Sequence, residues 1–230
     1  MTNDQPDPTP AVPGQGGDRV PEPVAALAAV MATFPAPWAL CGGWAVDAWL
    51  GRETREHGDV DLSVFVQDQG ALFEHLRGWQ LLAHDAAWQP NERDGWWDGH
   101  QLLNHPSHIH GRPPEMSGAV PPDGIATTED GFWLDIQINE RAGDEWLISR
   151  DPLMSMPLRD AVTTSPWSLP TVVPEVLLAF KARDLRRRDK LDFEALLPRL
   201  DQGQRQWLRE AISRMGHPWM GALSRTGGDA

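Results

Sequence analysis

The residues best placed to do chemistry lie in one stretch, 38–66, WALCGGWAVDAWLGRETREHGDVDLSVFV. Gly42 and Gly43 form a turn between an apolar strand and a short helix, and Asp59 and Asp61 stand on the next strand. Alternate strand residues share a face, so both carboxylates emerge on one side, aimed at whatever the glycine turn holds. Two adjacent acids repel unless a cation lies between them. The pattern suits Mg²⁺ carrying a nucleotide phosphate. The competing reading, a pair of solvated acids guarding an edge strand, fits poorly with the apolar run at 62–66. A Gly-Gly pair alone is more often just a turn. With the acids downstream it becomes a candidate phosphate cradle, because helix N-terminal amides attract anions and glycine leaves them unobstructed.

Gly-Gly, a spacer and Asp-hydrophobic-Asp resemble the signature of the nucleotidyltransferase superfamily related to DNA polymerase beta. The finer strings GGWAVD and TREHGDVDL are similar to its antibiotic-modifying branch, the aminoglycoside and lincosamide adenylyltransferases. A second block, 132–200, extends the resemblance. Its FWLDIQIN strand supplies Asp135 as a third acid, and PEVLLAFKARDLRRRDKLDFEALLPRL supplies Lys181 on a C-terminal helix. The region between the two blocks is unmatched.

The resemblance implies an α+β fold, a mixed central sheet flanked by helices, with a C-terminal helical subdomain. It implies Asp59, Asp61 and Asp135 as catalytic metal ligands, and Gly42, Gly43, Trp44, Arg55, His57 and Lys181 as nucleotide contacts. Arg55 can pair with phosphate oxygens through its planar fork, and Lys181 can act as a point charge. His57 reads equally as a strut and as a phosphate contact. Asp135 carries two implied roles, metal ligand and general base. The first needs an ionised carboxylate and the second favours a raised pKa, so both stay open. The implied reaction is Mg²⁺-dependent transfer of a nucleoside monophosphate, AMP from ATP, to a hydroxyl of a small polar acceptor, with pyrophosphate leaving. An aminoglycoside-like antibiotic is the first expectation for that acceptor. A protein or another metabolite, as in antitoxin-type nucleotidyltransferases, is the second, and a nucleotide-binding module without turnover is the third.

The acceptor side is less defined. Trp96 and Trp97 lie in the polar run NERDGWWDGH and read first as packing residues, with stacking under a sugar or base as their functional role. With Asp98 and Asp130 they are the candidate acceptor contacts; Glu129, Glu140 and Asp144 are further acids in reach of the same region. His105, His108 and His110 in HPSHIH have a zinc-like spacing, yet no second ligand cluster completes a site, so a polar loop is the preferred reading.

Charge and composition narrow the partners. The chain has 230 residues and a formal net charge of −13, which argues against gripping a nucleic-acid backbone and suits a cationic small molecule. No apolar run approaches the length of a membrane span, and no secretory signal pattern opens the sequence, so a cytoplasmic protein is expected. Its one cysteine, Cys41, excludes an internal disulfide and reads as buried filler. Oligomeric state is not legible.

The elements that must position these residues follow from periodicity and turn residues. A tail at 1–20, rich in Pro, Gly and polar residues, is expected to be disordered. The nucleotidyltransferase-like domain is assigned to 21–170, a helical subdomain to 171–223, and a frayed end to 224–230. Helices are expected at 24–34, 44–50 (ending at Gly51) and 67–77 (stopped by Gly78). Strands are expected at 38–41, 60–66, 79–84, 100–104 and 132–139, with 106–130 as a long loop. A short strand at 146–148 pairs back through Ala142-Gly143-Asp144. Beyond Pro174 three helical segments follow at 174–187, 190–197 and 204–214, with Asp189 as the expected N-cap of the second. Arg186, Arg187 and Arg188 read as a solvated face.

Overall fold

The structure, a computed structural model, describes residues 19–84, 95–102, 107–113, 133–148, 154–182, 186–213 and 217–225. Asp130, Glu129, His105 and most of the expected terminal tails lie outside these residues. The chain enters through helix α1 (Glu22–Met31), started by Pro21 and Pro23, and turns into strand β1 (Ala39–Leu40). Helix α2 (Gly42–Leu50) begins immediately and stops at Gly51, whose φ of 71° is the left-handed C-cap its type predicts. Strand β2 (Val60–Phe65) follows, then helix α3 (Gln69–His75) and strand β3 (Gln80–His84). Strands β4 (Gly95–Trp96), β5 (His108–Arg112) and β6 (Leu134–Ala142) complete one side of the sheet.

A tight turn at Gly143-Asp144 returns β6 into β7 (Glu145–Leu147), as the hairpin residues predict, and β8 (Ser155–Pro157) pairs with β7. Helix α4 (Leu158–Ala161), β9 (Val162–Thr164) and β10 (Pro170–Val172) lead to the helical subdomain. That subdomain contains α5 (Pro174–Lys181), α6 (Arg187–Leu196), α7 (Gln202–Ser213) and α8 (Met220–Arg225). No helix among the described residues is long and apolar enough to cross a membrane.

The main sheet runs β4-β3-β5-β6-β2-β1-β10-β9. It is mixed, with β2 parallel to β6 and β1 parallel to β10 among otherwise antiparallel pairs. One face is apolar: Leu81, Ala83, Ile109, Leu134, Ile136, Ile138, Val60, Leu62 and Val64 are all buried. They form a continuous core with Val24, Leu27 and Met31 of α1 and with Leu72 and Leu76 beside α3. The opposite face on β3, β5 and β6 is half-exposed and carries Leu82, His84, His108, His110, Asp135 and Gln137. The period-2 alternation therefore sorts the sheet into a packing side and a working side.

Two expected elements differ. The strand expected at 100–104 is absent at 100–102, because the Gln69 side chain takes both backbone groups of Leu102: it accepts from the Leu102 N–H and donates to the Leu102 carbonyl, each at 2.9 Å. The loop expected from 106 contains β5 instead. Its His-Ile-His-Gly-Arg run alternates half-exposed and buried positions, so Ile109 drops into the core and Gly111 fits between Leu81 and Leu134. Ile136→Ala tests this core, since β6 lies between β2 and β5. It is expected to lower unfolding free energy in urea titration by about 2–5 kcal/mol. Leu191→Ala, at a position 51% exposed, is expected to shift it by less than about 0.5 kcal/mol.

Candidate active site

The two glycines have a steric role as well as an open backbone. A Cβ on Gly42, whose φ is +65°, would lie 1.7 Å from Asp61 Oδ2. A Cβ on Gly43 would lie 2.5 Å from both Arg55 Nη2 and His57 Nδ1. Glycine thus clears the space in which Asp61, Arg55 and His57 come together. Gly42, Gly43 and Trp44 also form the first turn of α2, where amides have no intrahelical acceptor. The Trp44 side chain turns into the core and packs against the His57 ring, centroid to centroid 4.2 Å at a 35° tilt.

Parallel pairing of β2 with β6 sets Asp61 directly opposite Asp135, and Asp59 lies just before β2. Burial raises the pKa of all three carboxyls. Asp61 is pushed up to about 6, by burial first and by the neighbouring Asp59 charge second. Asp135 is raised well above the carboxylate range by burial, then by Asp61 and Asp59. Lys181 and His57 draw Asp61 downward, and Arg188 is the strongest such influence on Asp59. One Asp135 oxygen, Oδ1, is buried with no hydrogen-bond partner. A buried acceptor without a donor is costly, and a divalent cation with oxygen ligands would satisfy it and relieve the crowding. The three carboxylates supply the oxygen donors such an ion takes, although among the described residues their oxygens do not all lie within 4.8 Å of one another. Cys41, beside these acids, is buried, and desolvation followed by Asp61 pushes its thiol up, so it is held as an unreactive neutral group.

A set of struts fixes the flanking residues. Asp47, fully buried on α2, meets His57 Nε2 at 2.6 Å and accepts from the Thr54 amide at 3.1 Å and from the Thr54 hydroxyl. His57 is therefore braced between Asp47 and Trp44. Arg55 reaches Asp192 of α6 at 3.6 Å, and Lys181 meets Asp192 at 2.7 Å and Asp189 at 3.7 Å. Asp189 is one turn inside α6 rather than its N-cap: its carboxylate reaches back to the Arg186 amide at 3.2 Å and to Arg186 Nε at 2.8 Å. Arg188, expected on a solvated face, is exposed, yet its charge bears on Asp59 and Asp61.

The acceptor candidates separate. Trp96 is 60% exposed and is register-paired with Leu82, on the working side of the sheet. Trp97 is buried edge-on against Phe73, and its indole donates to the His100 carbonyl at 2.8 Å, so it cannot line an acceptor pocket. Asp98 is exposed and accepts from the His100 amide and ring, which hold its carboxyl below the usual range. Glu140 is exposed on β6. Asp144 lies in the hairpin turn, beside a cavity of about 390 Å³ at the Phe65 end of β2, away from the acids. The histidine run is not a loop: β5 places His108 and His110 beside His84 of β3, and one ring nitrogen from each lies within 4.8 Å of the others. Among the described residues no other three His, Cys, Asp or Glu side chains converge so closely.

Sequence reasoning gave no role to Asp47, although it stands one helical turn after Gly43 in the GGWAVD string. Asp192 had its place in the Asp-Phe pair of the second resembling block as a signal, Arg188 only its place in a basic run, and His84 none, because its neighbours come from a distant strand.

Comparison with known proteins agrees with this geometry. The family model described as aminoglycoside-2''-adenylyltransferase matches residues 24–107, which include the glycine turn, Asp59 and Asp61. ANT(2'')-Ia in complex with adenylyl-2''-tobramycin superposes with a TM-score of 0.52 at 15% identity, covering 84% of this chain and 96% of that one. A solution structure of ANT(2'')-Ia gives 0.53 at 16% identity, with coverages of 88% and 93%. Lincomycin-bound LnuA, a lincosamide antibiotic adenylyltransferase, gives 0.48 at 18% identity, with coverages of 77% and 96%. No curated protein sequence matches the chain. The family model thus spans the glycine turn and the first two acids, and the two ANT(2'')-Ia structures share the fold of this chain.

Proposed function

We propose that the chain is a Mg²⁺-dependent nucleotidyltransferase that moves AMP from ATP to a hydroxyl of an aminoglycoside-like polycation. The observation that carries this reading is the side-by-side placement of Asp61 and Asp135, with a buried, unpartnered carboxylate oxygen and fixed cationic groups around them. Asp59, Asp61 and Asp135 would hold the metal. When bound, Mg²⁺ would neutralise the triphosphate and ease the departure of pyrophosphate. Gly42, Gly43 and Trp44 contribute first-turn amides to the phosphates. Arg55, Lys181 and Arg188 provide positive potential, with Lys181 held in place by Asp192 and Asp189.

The acceptor hydroxyl oxygen attacks the α-phosphorus, the bond from that phosphorus to the bridging oxygen breaks, and pyrophosphate carries away the electron pair. The hydroxyl proton passes to a carboxylate of the acid row. A net charge of −13 favours a cationic acceptor, with exposed Trp96 offering a stacking surface on the same side of the sheet. The lone buried thiol fits a reducing, cytoplasmic setting.

Purified protein with Mg²⁺-ATP and a panel of aminoglycosides is expected to release pyrophosphate in step with consumption of one or more of them. No release with any member would overturn the acceptor assignment. Asp61→Asn should lower that rate by at least about 100-fold, since a metal clamp contributes several kcal/mol to the transition state. The same variant should be at least as stable as the wild type at neutral pH without metal, because it removes a buried like charge. A retained rate would exclude Asp61 as a metal ligand.

The pH dependence has a defined sign. Folding raises the Asp61 pKa, so the folded state binds that proton more tightly than the unfolded chain does. The stability this contributes is fully present below the unfolded value of about 3.9 and is lost as pH rises through about 6. Mg²⁺ should therefore raise the melting temperature more above pH about 7 than below pH about 5. An equal shift at both would show that metal binding does not involve these acids.

A further inference from the structure

We propose that His84, His108 and His110 form a second metal site, one that takes a zinc-class divalent ion, on the working side of the sheet. The proposal does not depend on nucleotidyl transfer, because it rests on strand register and imidazole chemistry alone. Antiparallel pairing sets His84 of β3 directly across from His108 of β5, and His110, two residues further on, shares their face. The result is three imidazoles from two adjacent strands, all half-buried, with nothing but backbone pairing needed to bring them together.

The distances suit the ion. Zinc–nitrogen bonds of about 2.0–2.1 Å set two nitrogens on a tetrahedral zinc about 3.3 Å apart. His84 Nε2 and His110 Nδ1 are already 3.2 Å apart. The His84 and His108 rings stack at 4.7 Å with a 14° interplanar angle, and the His108 and His110 rings are 5.0 Å apart. One ring nitrogen from each residue falls within a 4.8 Å span, so small rotations of the rings close the remaining gap.

The ligand chemistry separates this site from the acids. Neutral imidazole favours zinc, copper and nickel, whereas Mg²⁺ selects oxygen and keeps its water. Three histidines leave a fourth tetrahedral position for water or another uncharged nitrogen or oxygen donor. His110 is register-paired with Asp135, so the histidine cluster begins on the strand next to that of Asp135. A protein with two such sites would hold a hard cation on its carboxylates and a borderline cation on its imidazoles, side by side on one face.

The test uses the full chain, without an affinity tag and in excess Mg²⁺ to load the oxygen sites. Co²⁺ is titrated and followed by visible absorption, and Zn²⁺ affinity is measured by competition with a chromophoric chelator. The expected result is one equivalent of Co²⁺ with the intense absorption of a tetrahedral site, displaced by Zn²⁺. His110→Ala and His84→Gln should each weaken Zn²⁺ binding by at least about tenfold, since even residues that only support a metal ligand are worth that much. His84→Gln keeps a polar side chain at a half-exposed position, and its melting curve shows whether the fold is intact. Asp61→Asn should leave Zn²⁺ affinity within about threefold of the wild type, a shift of under 1 kcal/mol. The proposal is overturned if the wild type binds Zn²⁺ no better than a variant lacking all three histidines. It is equally overturned if binding is lost in Asp61→Asn but kept in the histidine variants.

Discussion

The parallel pairing of β2 with β6 is the constraint on which the rest of the site depends. It forces Asp61 and Asp135 to face each other on one side of the sheet, close enough for the Asp61 charge to raise the pKa of a buried Asp135. In a half-buried setting of reduced dielectric, such a pair is unfavourable on its own. Much of the surrounding sequence can be understood as a response. Gly42 yields its side-chain volume to Asp61, Gly43 yields to Arg55 and His57, and cationic groups from the helical subdomain draw the pKa values of Asp59 and Asp61 back down.

That subdomain is joined to the sheet domain electrostatically as well as by packing. Lys181, Asp189 and Asp192 are nearly excluded from solvent, and Arg55 extends their network across the boundary to the loop before β2. Buried ion pairs contribute little net stability, because desolvation offsets most of the Coulomb attraction. Their value here is positional: they fix where two cations stand relative to Asp59 and Asp61. Asp47 does the same for the loop from the other side, through His57 and Thr54. The half-exposed side of the sheet then continues outward from the acids to three histidines and to Trp96, a chemically varied surface next to the acid row.

Local rules made the glycine turn, the Asp-x-Asp strand and the FWLDIQIN strand readable, because each rests on a period of two or on a backbone angle only glycine favours. The hairpin at Gly143 and the C-cap at Gly51 were readable for the same reason. What escaped depends on contacts between distant segments. His84 and HPSHIH meet only because β3 pairs with β5, an arrangement no local pattern encodes, and a run with no visible partner therefore read as a polar loop. Gln69 captures Leu102 through a side chain 33 positions away and pre-empts a strand that composition favoured. Trp96 and Trp97 are adjacent and chemically identical; only strand alternation sends one to solvent and the other beneath Phe73. Asp189 has the chemistry of an N-cap, but α6 begins earlier, at Arg187, which turns it into the inward, reach-back acid.

The central claim is that the crowded carboxylates exist to share a divalent cation with a nucleotide. The most direct measurement is a crystal structure grown with Mn²⁺ and a non-hydrolysable ATP analogue, in which the metal is located by its anomalous signal. The account predicts a metal peak in direct contact with Asp61 and Asp135, bridged to the phosphates over the first turn of α2. Nucleotide bound there with no metal on either carboxylate, or with Mn²⁺ held elsewhere, would contradict it.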